Sequence, residues 1–253
     1  MGHFTFAGEH SSAYHVRLLK SPVSVLPGTR DKVITLPGRH GALRMLPDLA
    51  ERTLTLECWL AAANMPEMHE RLQRLRAWLN PLRGQQRLIL DSSLDRYYSA
   101  CLVGSSLDAE IKARQVMFSA NFVCPDPFAY AVNPDIVTIL ASPHNLSQRG
   151  TAPADPLLRL KGTSLGGWQT LSIQIESQTV TYAGPLAAED WLEVDCAKKT
   201  ASRVAGHSRA SVMHLLARPT FPQLSPDANL ITVVAAGGAA WSRLEVHCRN
   251  RWL

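Results

Sequence analysis

The sequence predicts a mainly β protein with one α-helix, divided into two domains. Most of its apolar runs alternate with polar residues in a period of two, which places one face of a strand against a core and the other in solvent. One segment has the period of a helix instead. A proline-rich stretch near the middle of the 253 residues separates two β-rich halves.

The strands of the first half follow from this alternation. Every second residue is apolar in Arg52–Leu60 and in Gln115–Cys124, so each run predicts a half-buried strand. Arg87–Asp91 and Arg96–Gly104 predict a β-hairpin, because Ser92–Asp95 between them suits a short turn.

The helix is predicted at about residues 65–80, where four apolar residues recur at i, i+4, i+7 and i+11: Met68, Leu72, Leu75 and Leu79. Asn64 suits the N-cap, Pro66 suits the first turn, and Pro81 ends the segment. Three arginines lie mostly off the apolar stripe: Arg71, Arg74 and Arg76. We interpret them as a solvated face in preference to a binding patch.

The composition changes between Cys124 and Pro156, where prolines recur at positions 125, 127, 134, 143, 153 and 156. Because proline interrupts regular strands and helices, we interpret this stretch as the domain boundary. We place the domains at residues 1–133 and 134–253. Beyond the boundary, short strand-like runs separated by turn residues predict a β-sandwich of about 120 residues. Gly237–Ala240 lies between two such runs and is predicted to be a hairpin loop.

Charge and composition exclude several classes of protein. The net charge of +5 is spread as +3 over residues 1–133 and +2 over the rest, without the basic stripe or tail of a nucleic-acid-binding protein. No apolar run approaches the roughly 18 residues of a membrane span. The first residues lack the pattern of a signal peptide, so we expect folding in a cytosol. Five cysteines without a CxxC pair argue against a zinc ribbon or a disulfide scaffold.

The sequence predicts no catalytic, cofactor-binding or metal site, and therefore no enzyme. Gly162–Gly166 matches the GxSxG string, but a strand-like run follows it where a nucleophile elbow needs a helix. Ser164 is therefore interpreted as a turn residue. The nine histidines form no HExxH or zinc-type spacing and are interpreted as scattered surface or strand residues, including the three near the start: His3, His10 and His15. The acidic cluster of residues 189–195 offers no usable carboxylate pair.

The order of motifs resembles that of the distal tail (Dit) proteins of long-tailed siphophages, which are tail-tip or baseplate hub components. The similar segments run through most of the chain: GEHSSAYHVRL, ITLPGRHGAL, RAWLNP, RLILDSSLDRYYSACLVG, FVCPDPFAY, HNLSQRGTAPADPLLRLKG and WLEVDCAKKTAS. Leu94 stands where this family often has proline.

This resemblance implies a first domain built as a tail-tube-like β-sandwich or split barrel, and a second built as a galectin-like β-sandwich. Six copies would form a ring at the distal end of the phage tail, assembled in the host cytoplasm. The ring would join the tail tube above to the tip hub or tail-associated protein below. Tape measure and receptor-binding proteins would be further partners, and DNA would pass through the channel in transit, without membrane insertion.

Two features bear on such a ring. Ser21–Pro47 has few apolar runs and four prolines, at positions 22, 27, 37 and 47, so it is a candidate arm for contacts between subunits. An ordinary long loop packed on its own domain is the alternative. A channel for DNA must not grip phosphate, so we predict that Arg71, Arg74 and Arg76 do not line it.

Two rival functions stay open. A carbohydrate-binding β-sandwich module for host adsorption would need an exposed aromatic ring, and Trp168, Trp191 and Trp241 are available. Trp191 and Trp241 lie in strand patterns and are expected to serve the core. An esterase or cell-wall hydrolase would need Ser164.

Overall fold

The computed structural model describes residues 2–21, 26–103, 110–112 and 114–253. The chain divides into two compact units, Met1–Tyr130 with Leu253, and Ala131–Trp252. Both are built of β-strands, and one α-helix occurs in the described residues. The predicted fold class, mainly β with a single helix, is confirmed.

The strands of the first unit, in chain order, are β1 Phe4–Phe6, β2 Glu9–His10, β3 Val16–Lys20, β4 Thr29–Arg30, β5 Val33–Ile34, β6 Leu43–Arg44, β7 Asp48–Leu49, β8 Arg52–Ala61, β9 Gln86–Leu90, β10 Arg96–Leu102, β11 Glu110–Lys112, β12 Gln115–Cys124 and β13 Ala129–Ala131, which reaches the second unit. The helix α1 is Met65–Trp78, and short 3-10 helices occupy Ser11–Tyr14, Pro81–Arg83 and Asp91–Ser93.

The main sheet of the first unit has the strand order β2-β1-β9-β10-β12-β8-β3, and β11 also pairs with β12. Its longest ladder joins the two strands with the clearest alternation, β8 and β12, over ten antiparallel residue pairs. The predicted hairpin is formed by β9 and β10, with a 3-10 turn between them. Strand β9 ends just before the polar residues of the turn, and β10 begins just after them, as the sequence indicated.

Helix α1 begins and ends as its sequence predicts. The side chain of Asn64 accepts a hydrogen bond from the backbone N–H of Glu67, and the helix stops before Pro81. Its apolar stripe is buried, and Trp78 extends it: the Trp78 ring stacks on Tyr14 at 4.4 Å, and its Nε1 donates to the carbonyl of Phe6. The core of the unit therefore lies between α1 and the main sheet.

Two short ladders form a narrow two-stranded segment on the first unit. β4 pairs with β7, and β5 pairs with β6, so residues 29–49 run out and return. The backbone N–H of Met45 also donates to Lys32, and that of Ala50 to Gly28. This segment, which we call the arm, coincides with much of the candidate arm expected from the sequence; Pro22 lies outside the described residues.

The strands of the second unit, in chain order, are β14 Asp135–Ile139, β15 His144–Ser147, β16 Leu157–Leu165, β17 Thr170–Ile175, β18 Gln178–Tyr182, β19 Pro185–Leu186, β20 Trp191–Asp195, β21 Thr200–Ala205, β22 Ser208–Ser211, β23 Leu216–Arg218, β24 Ala228–Ala236, β25 Ala240–Cys248 and β26 Arg251–Trp252. A 3-10 helix occupies Met213–Leu215.

Two sheets of the second unit share one core. The first has the order β14-β25-β16-β20-β21-β22, with β19 beside β16, and the second has the order β15-β24-β17-β18-β23. Apolar side chains of both sheets, such as Leu160 and Leu244 from the first and Ile173 and Ile231 from the second, belong to the same buried cluster. The unit is thus a β-sandwich.

One expectation for this unit is wrong. Gly237–Ala240 was expected to close a hairpin, but β24 and β25 lie in different sheets, so this segment crosses from one sheet to the other. Alternation shows which residues of a strand face the core. It does not show whether two consecutive strands pair with each other in one sheet or lie in two facing sheets.

Candidate functional sites

A basic cavity of about 360 Å³ lies on the first unit. Its lining includes His3, Ser12, His15, Arg17, Trp59 and Arg71. The cavity brings together residues from the chain start, from strands β3 and β8 and from helix α1. His3 and His15, interpreted from the sequence as scattered surface or strand residues, line this same cavity.

Hydrogen bonds and ring contacts hold this histidine group in position. His3 Nδ1 lies 3.1 Å from both Ser11 Oγ and the carbonyl of Val16. The His10 ring lies 5.2 Å from that of His3, and His10 Nε2 is 3.4 Å from an Asp91 carboxylate oxygen. In the described part of the chain, no three His, Cys, Asp or Glu side chains form a group suited to a metal ion.

Arg71 is one of the cations that line the cavity, and it forms an ion pair with Glu67. Its Nη1 donates to the carbonyl of Ala61 and its Nη2 to Glu67 Oε1, each at 2.5 Å. Glu67 also accepts from the backbone N–H of Ala63, and these hydrogen bonds lower the pKa of the Glu67 carboxyl. Arg74 pairs instead with Glu70 on the helix surface and does not line the cavity. The three helix arginines therefore do not form one patch.

The arm exposes apolar side chains that its own unit does not cover. Leu46 is 93% exposed, and large apolar neighbours in or next to the arm are also exposed: Leu26, Val33, Leu36, Leu43 and Met45. Exposed apolar patches on a protein surface often mark a site of interaction with another protein. The alternative of an ordinary loop packed on its own domain does not describe these side chains.

Ser164 lies in strand β16, one residue before its end, and pairs with Leu186, so the expectation of a turn residue is wrong. It is buried at the end of β16, its hydroxyl donates to the carbonyl of Gln169, and it accepts from the N–H of Gly166. The Gln169 side chain in turn accepts from the N–H of Leu165 at 2.7 Å. No helix follows Ser164, and no base is within its described hydrogen bonds, so the GxSxG string does not form a nucleophile elbow.

The same turn displays two apolar side chains at one end of the second unit. Trp168 is 77% exposed and Leu165 is 86% exposed. Gly237 packs against Trp168, and Gly167 donates its N–H to the carbonyl of Ala183. Three adjacent segments therefore meet here, residues 162–169, 183–188 and 235–241, and none of them contains a charged residue. We call this surface the neutral end.

Trp191 lies on the polar face of its sheet, so the expectation that it serves the core is wrong. The guanidinium carbons of Arg159 and Arg243 lie 4.6 and 4.8 Å from its ring centroid. Leu192 and Val194 take the inward positions of β20, and the alternation therefore turns Trp191 outward. Trp241, by contrast, is partly buried against the core, as expected.

The acidic residues between positions 189 and 195 form ion pairs with basic side chains. Glu193 contacts Arg159 and Arg209, Glu189 contacts Lys161, and Asp195 contacts Lys198. The hydrogen bond and charge of Lys161 lower the pKa of the Glu189 carboxyl. The arrangement is a charged ladder across the sheet face, in which each named carboxylate has a cation beside it.

Four cysteines are buried thiols. Burial raises the pKa of Cys58, Cys124 and Cys196 to about 12 and that of Cys248 to about 11. Since the thiolate is the reactive form, these side chains behave as small apolar core residues.

Part of the first unit is similar to a known family. Residues 10–124, from β2 through β12, match the family described as the phage tail protein RIFT-related domain. We call this stretch the tail domain. This tail domain includes α1, the arm and most of the cavity lining.

The whole chain has the fold of solved distal tail and baseplate structures. It superposes on SPP1 Dit, described as a paradigm of the hub adsorption apparatus in phages that infect Gram-positive bacteria, with a TM-score of 0.81, 14% identity and 100% of both chains covered. A chain of the phage P2 baseplate in its activated conformation with Ca matches with a TM-score of 0.52 and 7% identity, covering 99% of this chain and 98% of that one. No curated protein sequence matches significantly. The resemblance to siphophage distal tail proteins is confirmed.

Sequence reasoning missed the basic cavity and the neutral end. The cavity draws on residues 3–71, and no spacing rule connects them. A signal for the neutral end existed in the sequence, since SLGGW, GPLAA and AAGGAA all lack charge, but only the fold brings them together. In the part of the chain that the structure describes, no helix has both the length and the apolar character needed to cross a membrane.

Proposed function

We propose that this protein is a structural, non-enzymatic component of a siphophage tail tip that forms a hexameric ring. The observation that carries the proposal is the full-length superposition on SPP1 Dit, together with the tail domain at residues 10–124. The ring would join the tail tube to the tip hub and leave a channel for DNA. In this proposal residues 1–133 build the ring and residues 134–253 form a galectin-like sandwich, with tape measure and receptor-binding proteins as further partners.

The arm is the proposed contact between neighbouring subunits. Its exposed apolar side chains gain burial when they pack on another copy, and each fully buried side chain of this kind contributes roughly 1.5–3 kcal/mol. A ring requires a surface that is complementary to a different patch on the next copy, and a projecting two-stranded arm is suited to this kind of head-to-tail contact.

Light scattering during size-exclusion chromatography tests the ring. A closed hexamer has a mass of about 167 kDa, six times the 27.8 kDa of one chain. Leu46→Ser with Met45→Ser should shift the population toward the monomer, whereas Leu82→Ser, an equally exposed site outside the arm, should not. A wild-type protein that stays monomeric at its highest attainable concentration, alone and mixed with its tail tube and hub proteins, would contradict the ring.

A carbohydrate-binding module is the second candidate, favoured by the exposure of Trp168. A pyranose ring can stack on this indole at the neutral end, and the absence of charge there suits a neutral glycan. A glycan array decides this candidate. Binding that Trp168→Ala abolishes and Trp191→Ala preserves would support it, and an array with no bound glycan would remove it.

A further inference from the structure

The basic cavity of the first unit contains positive charge that the protein does not neutralise. Its lining contributes two arginines and two histidines, beside Ser12 and the flat ring of Trp59. The nearest acidic group on α1, Glu67, is already engaged by Arg71 and by the N–H of Ala63. None of the lining residues that the structure describes is acidic. A cavity with this lining favours an anion.

Arg17 is the cation that is free to bind a ligand. Its side chain is exposed, and its guanidinium carbon lies 5.8 Å from the ring centroid of Trp59, a contact that uses none of its N–H donors. Among the described residues, no carboxylate is paired with it. A guanidinium presents donors in a planar fork that matches the oxygens of phosphate and carboxylate groups. The fork is therefore available to a ligand.

His15 stands beside Arg17 in an unusual backbone conformation. Its φ of 58° lies in the left-handed region, where it ends the 3-10 turn and its N–H bonds back to the carbonyls of Ser11 and Ser12. Residues other than glycine adopt this conformation infrequently. The turn places its ring at the cavity, where a ring N–H can donate a second hydrogen bond to a ligand.

We propose that this cavity binds a small oxyanion through Arg17 and His15, beside the ion pair of Arg71 and Glu67. Phosphate and carboxylate groups share the required chemistry, so the ligand is a free anion or an acidic group carried by a larger molecule. The volume of about 360 Å³ leaves room for atoms attached to the anionic group, with the Trp59 ring as a flat wall. This inference does not depend on ring formation.

Calorimetric titration of the full chain with sulfate tests the site, at constant ionic strength maintained with sodium chloride. Sulfate keeps its charge between pH 6 and 8, so changes in its affinity report the protein. We expect one site per chain, and Arg17→Gln should weaken binding by at least about tenfold, as expected for loss of a charge-assisted hydrogen bond. Arg74→Gln is the matched control, because Arg74 is exposed on α1, outside the cavity. It should leave the affinity unchanged.

A substitution tests the histidine. His15→Asn, which tolerates the same backbone region, should weaken sulfate binding by at least about threefold, and the exposed His207→Asn should leave it unchanged.

Phosphate and succinate titrations distinguish the two sources of the anion. Tighter binding of phosphate indicates a phosphate-bearing ligand, and tighter binding of succinate indicates a carboxylate-bearing one. Either outcome supports the site if Arg17→Gln abolishes the binding of that anion. Thermal unfolding of each variant shows that it is folded. The proposal is overturned if none of the three anions binds, or if Arg17→Gln and Arg74→Gln bind them equally.

Discussion

The hydroxyl of Ser164 accepts a hydrogen bond from the backbone N–H of Gly166 at 3.1 Å, at the end of β16. The same hydroxyl donates to the carbonyl of Gln169. A serine that resembles a catalytic nucleophile in the sequence therefore closes a turn in the structure. Its role is to hold Leu165 and Trp168 outward at the neutral end.

We expect Ser164→Ala to lower the free energy of unfolding by about 1 kcal/mol, because two buried hydrogen bonds of the turn are lost. Urea denaturation measures the change, and Ser208→Ala, at an exposed site, is the control. Esterase activity in the wild type that this substitution abolishes would contradict both the turn role and the non-enzymatic proposal.

Gly162 is the other constrained position of the same string. A Cβ there would lie 2.5 Å from the carbonyl oxygen of Ala240, a backbone atom of the neighbouring strand β25. Gly162→Ala should therefore destabilise the protein by about 1–3 kcal/mol, since the two strands must move apart. Thermal unfolding measures this loss. Gly28→Ala is the control, because its added Cβ would meet the Cβ of Ala50 at an ordinary 3.6 Å.

The Glu67 carboxylate should stabilise the folded protein at neutral pH and lose this effect in acid. The hydrogen bonds from Ala63 and Arg71 lower its folded-state pKa below the unfolded value of about 4.3. The stabilisation is therefore present above that value and is lost as the pH falls through the lowered folded-state pKa. Denaturation of wild type and Glu67→Gln should show a difference at pH 7 that persists to about pH 5 and shrinks at lower pH. A difference that grows on acidification would contradict this assignment.

The four buried thiols should resist modification in the folded protein. With their pKa values raised to between about 11 and 12 by burial, Cys58, Cys124, Cys196 and Cys248 hold almost no thiolate at pH 8. Titration with a chromogenic disulfide reagent should label at most the half-buried Cys101 before denaturant is added, and all five thiols afterwards. Rapid labelling of several thiols in the native state would show that the cores open readily.

Local patterns in the sequence determined the elements of this fold. The alternation in Arg52–Leu60 and Gln115–Cys124 predicted two strands whose inward residues are buried, and the stripe from Met68 to Leu79 predicted α1. Asn64 and Pro81 predicted where the helix begins and ends. These features depend on neighbours within a few residues, where backbone period and capping act.

Tertiary structure alone decided which elements meet. The segment Gly237–Ala240 crosses between sheets, and the outward position of Trp191 places it under two arginines of neighbouring strands. His3, His15 and Arg71 reach one cavity although no spacing rule joins them. The periodicity of a strand specifies which side chains face inward, but the partner that covers each face depends on packing between residues far apart in the chain. The elements were therefore predictable from the sequence, and the basic cavity was not.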